Sequence, residues 1–321
     1  MYLDKIIARK EEEVAELKRT IRMSDFMESE IYTRVCYSLR RSLLASSTGI
    51  ISEFKRKSPS KGFINENAKV DEVVPFYEKA GAAGISVLAD TDFFAGAPKD
   101  IRIARELVGV PILFKEFVID EIQLHLAKSC GADVVLLIAA CLTPERVAEL
   151  AEEAKRLGLE VLLELHSADE LGHINKNVDI VGINNRNLKT FEVDLQASID
   201  LMSQLPNDMV RISESGISSP DTIKMLREKG FQGFLIGENF MKTQNPGAAL
   251  KEFIDELKKK SFETNNYLAN VAEDAIAHLQ EYKKTVNEDA DFYKVSEAAN
   301  TLIDDKLMSL EGWIPTEIKD N

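Results

Sequence analysis

The stretch from Ile50 to Gly62 reads IISEFKRKSPSKG. It opens as a strand, with Ile50, Ile51 and Phe54 apolar, and carries Glu53 and Lys55 two residues apart. In an extended chain such a pair points to one face. A strand buried on both sides does not put a carboxylate and an ammonium on one face unless that face is a site. Ser58-Pro59-Ser60 then breaks the run and Gly62 closes it, which marks a loop leaving a strand end. A lone E-x-K pair is more often a surface ion pair on an edge strand. The reading therefore turns on whether polar strand ends recur along the chain.

They do. Apolar runs of strand length stand at 49–56, 84–89, 111–117, 133–140, 160–166, 179–184, 209–214 and 233–237. Amphipathic segments separate them, at 71–81, 99–108, 120–130, 144–157, 195–204, 219–229 and 246–259. Thr143-Pro144, Asp194 and Ser219-Pro220-Asp221 read as helix starts, and Gly81, Gly109, Gly131, Gly158 and Gly230 as helix stops. Eight strand–helix alternations predict an α/β fold, a (β/α)8 TIM barrel. The runner-up, a doubly wound open sheet, calls for a Gly-rich dinucleotide turn after the first strand, and SPSKG is not one. Residues 1–48 read as an N-terminal helical extension, 49–260 as the catalytic barrel and 261–321 as an acidic helical tail.

A barrel carries its site at the C-terminal strand ends. Those ends read Glu53 and Lys55; Asp90 leading to Phe93-Phe94; Lys115-Glu116-Phe117; an uncharged Leu136 to Ala139; Glu164 and His166; Asn184 to Asn187; Glu214-Ser215-Gly216; and Gly237-Glu238-Asn239. Burying so many polar groups on one rim is costly without a ligand or chemistry to match them.

Composition limits the partners. The net charge is −14 with a pI near 4.9, which argues against nucleic acid or an anionic membrane. No apolar run is long enough to span a bilayer. Cys36, Cys130 and Cys141 have no metal-ligand spacing and read as reduced thiols of a cytoplasmic protein.

EFKRKSPSKG, ILFKEF, ADVVLLIAACL, LLELH, GINNRNL, SESGI and GFLIGE, in this order, closely resemble indole-3-glycerol phosphate synthase over about residues 1–258. The resemblance implies a cofactor-free, metal-free lyase of tryptophan biosynthesis. Its substrate would be 1-(2-carboxyphenylamino)-1-deoxyribulose 5-phosphate, closed to the indole with loss of CO2 and water. Lys115 matches the family's general acid and Glu164 its later acid–base residue. Lys55 matches the lysine on the substrate carboxylate, and Glu53 and Glu214 the positioning carboxylates. Asn184 matches a polar orienting residue, with Arg186 beside it. Ser58, Ser215, Gly216, Gly237 and Glu238 fall where the phosphate binds. Phe94, Phe117, Leu137 and Leu188 are expected to wall the anthranilate ring. A monomer or weak homodimer is expected, its tail docking on its own barrel.

Each residue also has a plainer reading. A single strand-end carboxylate is often structural, His166 reads as structural, and the phenylalanines could be core. Two inward lysines on one rim are harder to dismiss, since they repel unless carboxylates stand between them. Rival readings fit less well. A phosphoribosylanthranilate isomerase expects a cysteine and an aspartate on strands one and six, and a Schiff-base aldolase expects a lysine where Asn184 stands. A non-catalytic scaffold leaves Lys55, Lys115 and Glu164 unexplained. Three departures from the family pattern stand out: Glu116 for the usual Asp, Phe114 for Arg, and Ala89-Asp90 for Thr-Glu. The tail is a fourth. It holds 13 acidic and 5 basic residues, hence −8 of the total charge, and reads as two amphipathic helices.

Overall fold

The computed structural model describes residues 2–188, 190–206 and 208–261, with Ala272, Ala275 and Ile276 beyond them. Eight parallel strands close into a barrel: β1 (Ile50–Phe54), β2 (Gly84–Leu88), β3 (Ile112–Lys115), β4 (Val134–Ile138), β5 (Glu160–Leu165), β6 (Ile180–Asn184), β7 (Val210–Glu214) and β8 (Gly233–Ile236). Each pairs with its chain neighbours, and β8 returns to β1 with Ile51 opposite Leu235. The strands are apolar on both faces because both are covered. One set of side chains, including Ile51, Leu113, Leu136, Leu162, Ile212 and Leu235, fills the barrel. The alternate set, including Phe54, Val87, Phe114, Leu137, Leu163 and Phe234, packs under the outer helices.

Three helices precede the barrel: α1 (Tyr2–Thr20), α2 (Met23–Met27) and α3 (Leu39–Ala45). Leu39 and Leu43 of α3 join the core inside the barrel. They fit because Gly84 and Gly233, which open β2 and β8, leave room for their methyl groups. The crossover helices are α4 (Val70–Ala80), α5 (Pro98–Leu107), α6 (Glu121–Cys130), α7 (Pro144–Arg156), α8 (Leu195–Met202) and α9 (Pro220–Glu228). Their starts are capped as the sequence suggests. Thr143 and Ser219 hydroxyls accept from Arg146 N and Thr222 N ahead of a first-turn proline, and Asp194 accepts from Gln196 N and Ala197 N. A short α10 (Glu238–Met241) and a helix over 246–261 follow β8.

The alternation breaks once. Between β5 and β6 the chain makes only a 3₁₀ turn, Ala168–His173, in place of a full helix. That stretch, SADELGHINKNVD, is too polar to supply an apolar stripe. The chain divides between Ser261 and Phe262. The tail helices and their docking lie outside the described residues.

Candidate active site

Strand parity builds the centre of the rim. Glu53, Lys55, Lys115, Glu164, Asn184 and Glu214 all line one cavity of about 430 Å3 at the C-terminal end of the barrel. Lys115 Nζ donates to Glu164 Oε2 at 2.9 Å and to Glu214 Oε2 at 2.7 Å. Lys55 Nζ donates to Glu53 Oε1 at 2.5 Å, and Ser86 Oγ reaches Glu53 Oε2 at 3.5 Å. Asn184 Nδ2 donates to Glu164 Oε1 at 2.9 Å, while its Oδ1 accepts from Arg186 N at 3.0 Å. The carboxylates thus stand against both lysines, as the repulsion between two inward cations requires.

Burial and charge divide the proton states. Burial works against the Lys115 cation, but Glu164, Glu214 and Glu53 outweigh it and hold the lysine above its ordinary range. Burial pushes Glu164 up, yet Lys115, His166 and Asn184 together hold it well below the usual carboxylate range. Glu214 is pushed up by burial to about 7, with Lys115 only partly opposing. Among the described residues its Oε1 has no hydrogen-bond partner, and it lies against Gly182 of β6, where any Cβ would collide with it.

The other predicted residues divide by location. Ser58, Ser215, Gly216, Gly237 and Glu238 all line the cavity. They follow β1, β7 and β8, which are neighbours in the barrel. Ser58 Oγ is buried with no hydrogen-bond partner among the described residues. Ser215 and Gly216 turn the chain through left-handed conformations (φ 68° and 74°), and a Cβ on Gly216 would strike Val193. A side chain on Gly237 would collide with Glu53, so this glycine also makes room for the β1 carboxylate. Arg186 lines the cavity as well, its Nη1 donating to Phe191 O at 2.9 Å.

Phe94, Phe117 and Leu188 line the cavity, with the two rings 6.1 Å apart and tilted by 40°. Leu137 does not. It is fully buried in the outer core, and its neighbours Leu136 and Ile138 face the site instead. The pairing register explains the correction, since Ile138 lies opposite Glu164 and shares its inward face. Of the departures from the family pattern, Phe114 and Ala89 face the outer helices, away from the chemistry.

The structure adds Tyr2, Leu3 and Ile6, which the sequence reading leaves out, and gives His166, read there as structural, a place beside Glu164. Tyr2, Leu3 and Ile6 of α1 line the cavity, so the extension forms part of its wall. His166 lies with Nε2 3.2 Å from Glu164 Oε1 and Nδ1 3.7 Å from Glu170 Oε2. Neither contact meets hydrogen-bond geometry in this arrangement, but both hold a carboxylate beside the ring. Burial lowers the affinity of His166 for its proton, but the two carboxylates outweigh it and raise the pKa to about 9. The signal was present: His166 stands two residues after Glu164 and shares its face.

A family model described as indole-3-glycerol phosphate synthase matches residues 3–253. The indole-3-glycerol phosphate synthase of Bacteroides thetaiotaomicron is 53% identical over 256 residues, which are 80% of this chain and 98% of that protein. That of Polynucleobacter asymbioticus is 40% identical over 260 residues, 78% of this chain and 97% of that protein. Among solved structures, tryptophan synthase subunit alpha from Legionella pneumophila matches with a TM-score of 0.53 at 14% identity, covering 69% of this chain and 98% of its own; that likeness concerns the barrel alone. By its family match and these identities, the chain belongs to the indole-3-glycerol phosphate synthase family.

Proposed function

We propose that this rim closes 1-(2-carboxyphenylamino)-1-deoxyribulose 5-phosphate to indole-3-glycerol phosphate, with release of CO2 and water. The chain is a carboxy-lyase of tryptophan biosynthesis. The observation that carries the assignment of roles is Lys115 Nζ held between Glu164 and Glu214 inside the cavity.

Lys115 stays charged across the neutral range and so donates to the ketone oxygen as the ring carbon attacks it. The oxygen becomes a hydroxyl and the ring carboxylate departs as CO2. Lys55, balanced by Glu53, stands at the carboxylate and holds the bent conformer. Glu164 is kept ionised, which suits a base that takes a proton from the adduct as the hydroxyl leaves as water. Glu214, with a pKa of about 7, positions Lys115 and exchanges a proton near neutrality. The loops after β7, β8 and β1 receive the phosphate, with Ser58 Oγ and the Ser215-Gly216 turn as its contacts. One chain supplies every rim residue named, which fits a monomer or weak homodimer. The free thiols Cys36, Cys130 and Cys141 fit a cytoplasmic setting.

The test is fluorescence of the indole formed from the phosphorylated substrate. Product is expected with the phosphorylated compound and is strongly reduced with its dephosphorylated form. No indole from the intact chain would overturn the reading.

A further inference from the structure

The extension and the rim meet at a buried cation that the mechanism above does not use. Lys10 of α1 is 1% exposed. Its Nζ lies 2.7 Å from Asp90 Oδ2, 3.1 Å from Glu116 Oε2 and 2.7 Å from Glu13 Oε2. Asp90 and Glu116 are two of the departures from the family pattern, one carboxylate shorter and the other longer than usual. They converge on this one ammonium.

Each carboxylate also grips a piece of backbone that carries a cavity ring. Asp90 Oδ1 accepts from Phe93 N at 2.7 Å and Phe94 N at 3.0 Å. Glu116 Oε1 accepts from Phe117 N at 2.7 Å. Phe94 and Phe117 are the paired rings of the cavity wall. On the other side, Lys10 belongs to the helix whose Tyr2, Leu3 and Ile6 line the same cavity, with Tyr2 edge-on to Phe93 and Phe191. A buried ammonium held by three carboxylates gives little net stability, because desolvation offsets the attraction. What such a cluster does supply is a fixed geometry, here of two loops and a helix relative to one another.

We propose that Lys10 is a positioning residue for the substrate's aromatic ring, acting through Asp90 and Glu116 to set the slot between Phe94, Phe117 and the first turn of α1. The proposal rests on the substrate assigned above, but it predicts a defect confined to the ring end. The phosphate end is built on β7, β8 and β1; the β1 loop meets the Asp90 loop through Arg56 Nη1 to Ala95 O and Lys57 Nζ to Asp92 O, while the hydrogen bonds and ion pairs of Lys10, Asp90 and Glu116 go elsewhere.

The experiment is Lys10→Met, which keeps most of the bulk and removes the charge, measured only after wild-type indole formation is established. KM should rise about 10-fold, the scale of a disturbed apolar pocket, with kcat within about 3-fold. Two fragments then separate the ends. Inhibition by anthranilate should weaken about 10-fold, while inhibition by glycerol 3-phosphate stays within about 2-fold. Equal weakening of both fragments would mean general loosening and overturn the proposal, as would no change in either. If Lys10→Met does not fold, Glu116→Gln decides by the same ratio. It keeps an acceptor for Phe117 N and loses the charge that meets Lys10. An inactive wild type overturns the substrate assignment instead, so the two failures are distinct.

Discussion

The ends of β5 and β7 each lay a glutamate against the same lysine, yet the two carboxyls hold their protons very differently. Both are buried, at 3% and 2% exposure, and both lie within 2.9 Å of Lys115 Nζ. Glu164 also faces the His166 cation and accepts from Asn184 Nδ2, and it stays ionised. Glu214 has no hydrogen-bond partner at Oε1 among the described residues, only the bare backbone of Gly182, and rises to about 7. One cation therefore serves two carboxylates. What remains around each decides which is the constant anion and which exchanges protons near neutrality. Separating two like groups by environment is how a site obtains distinct acid and base roles.

Removing the shared cation should collapse the comparison and have the largest effect. Lys115→Met is expected to lower kcat by roughly 10²–10⁴, the usual worth of a general acid, while phosphate-end binding survives. Near-normal kcat would remove Lys115 from the chemistry. Without Lys115, both glutamates lose their main opposing charge and both should titrate higher.

The two glutamates should then differ when each is neutralised. Glu164→Gln removes a permanent anion and should cost about 10²–10³ in kcat. Glu214→Gln replaces a group whose pKa burial has already raised towards neutrality, so the loss should be smaller, about 10-fold or less. The wild-type rate profile should bend near pH 7 as Glu214 titrates, and Glu214→Gln should lack that bend. Equal losses for the two variants would show that environment has not divided their roles. Gly182→Ala offers a finer version. Its methyl group would displace Glu214 from Lys115, and a misplacement of about 1 Å can cost up to about 100-fold in rate. Unchanged kinetics would mean that Glu214 has room the packing does not indicate.

The sequence carried this asymmetry only in part. Period-two spacing brought out Glu53 with Lys55, and the strand ends brought out Lys115, Glu164 and Glu214, because a charge in an apolar run marks the inward face. β4 has no such mark. Its five residues, VVLLI, are all apolar and buried, so sequence leaves the parity open: the resemblance points Leu137 inward, whereas Leu136 and Ile138 hold that face. The registers against β3 and β5 fix it. Lys10 was hidden among the charges of α1. Its spacing was informative, since it stands four residues from both Ile6 and Val14 and belongs to the buried stripe they form. Gly182 could not be read at all, because its importance lies in an atom of another strand.

The smallest effect isolates what keeps Glu164 ionised. Two carboxylates face the His166 ring: Glu164 on β5 and Glu170 on the following 3₁₀ turn. The imidazolium should persist until pH rises through about 9. Being raised, this pKa contributes stability that is full below the ordinary histidine range and lost as pH passes 9. Proton NMR of the His166 ring, assigned by its loss in His166→Gln, reads the midpoint directly. Glu164→Gln removes one of the two carboxylates while burial still acts, so the midpoint should fall by roughly 1 unit or more. Glu214→Gln should leave it nearly in place, since Glu214 has no contact with the ring. A midpoint that stays near 9 in Glu164→Gln would assign the histidine to Glu170 alone. The charge that separates Glu164 from Glu214 would then have to come from Asn184 and Lys115 without it.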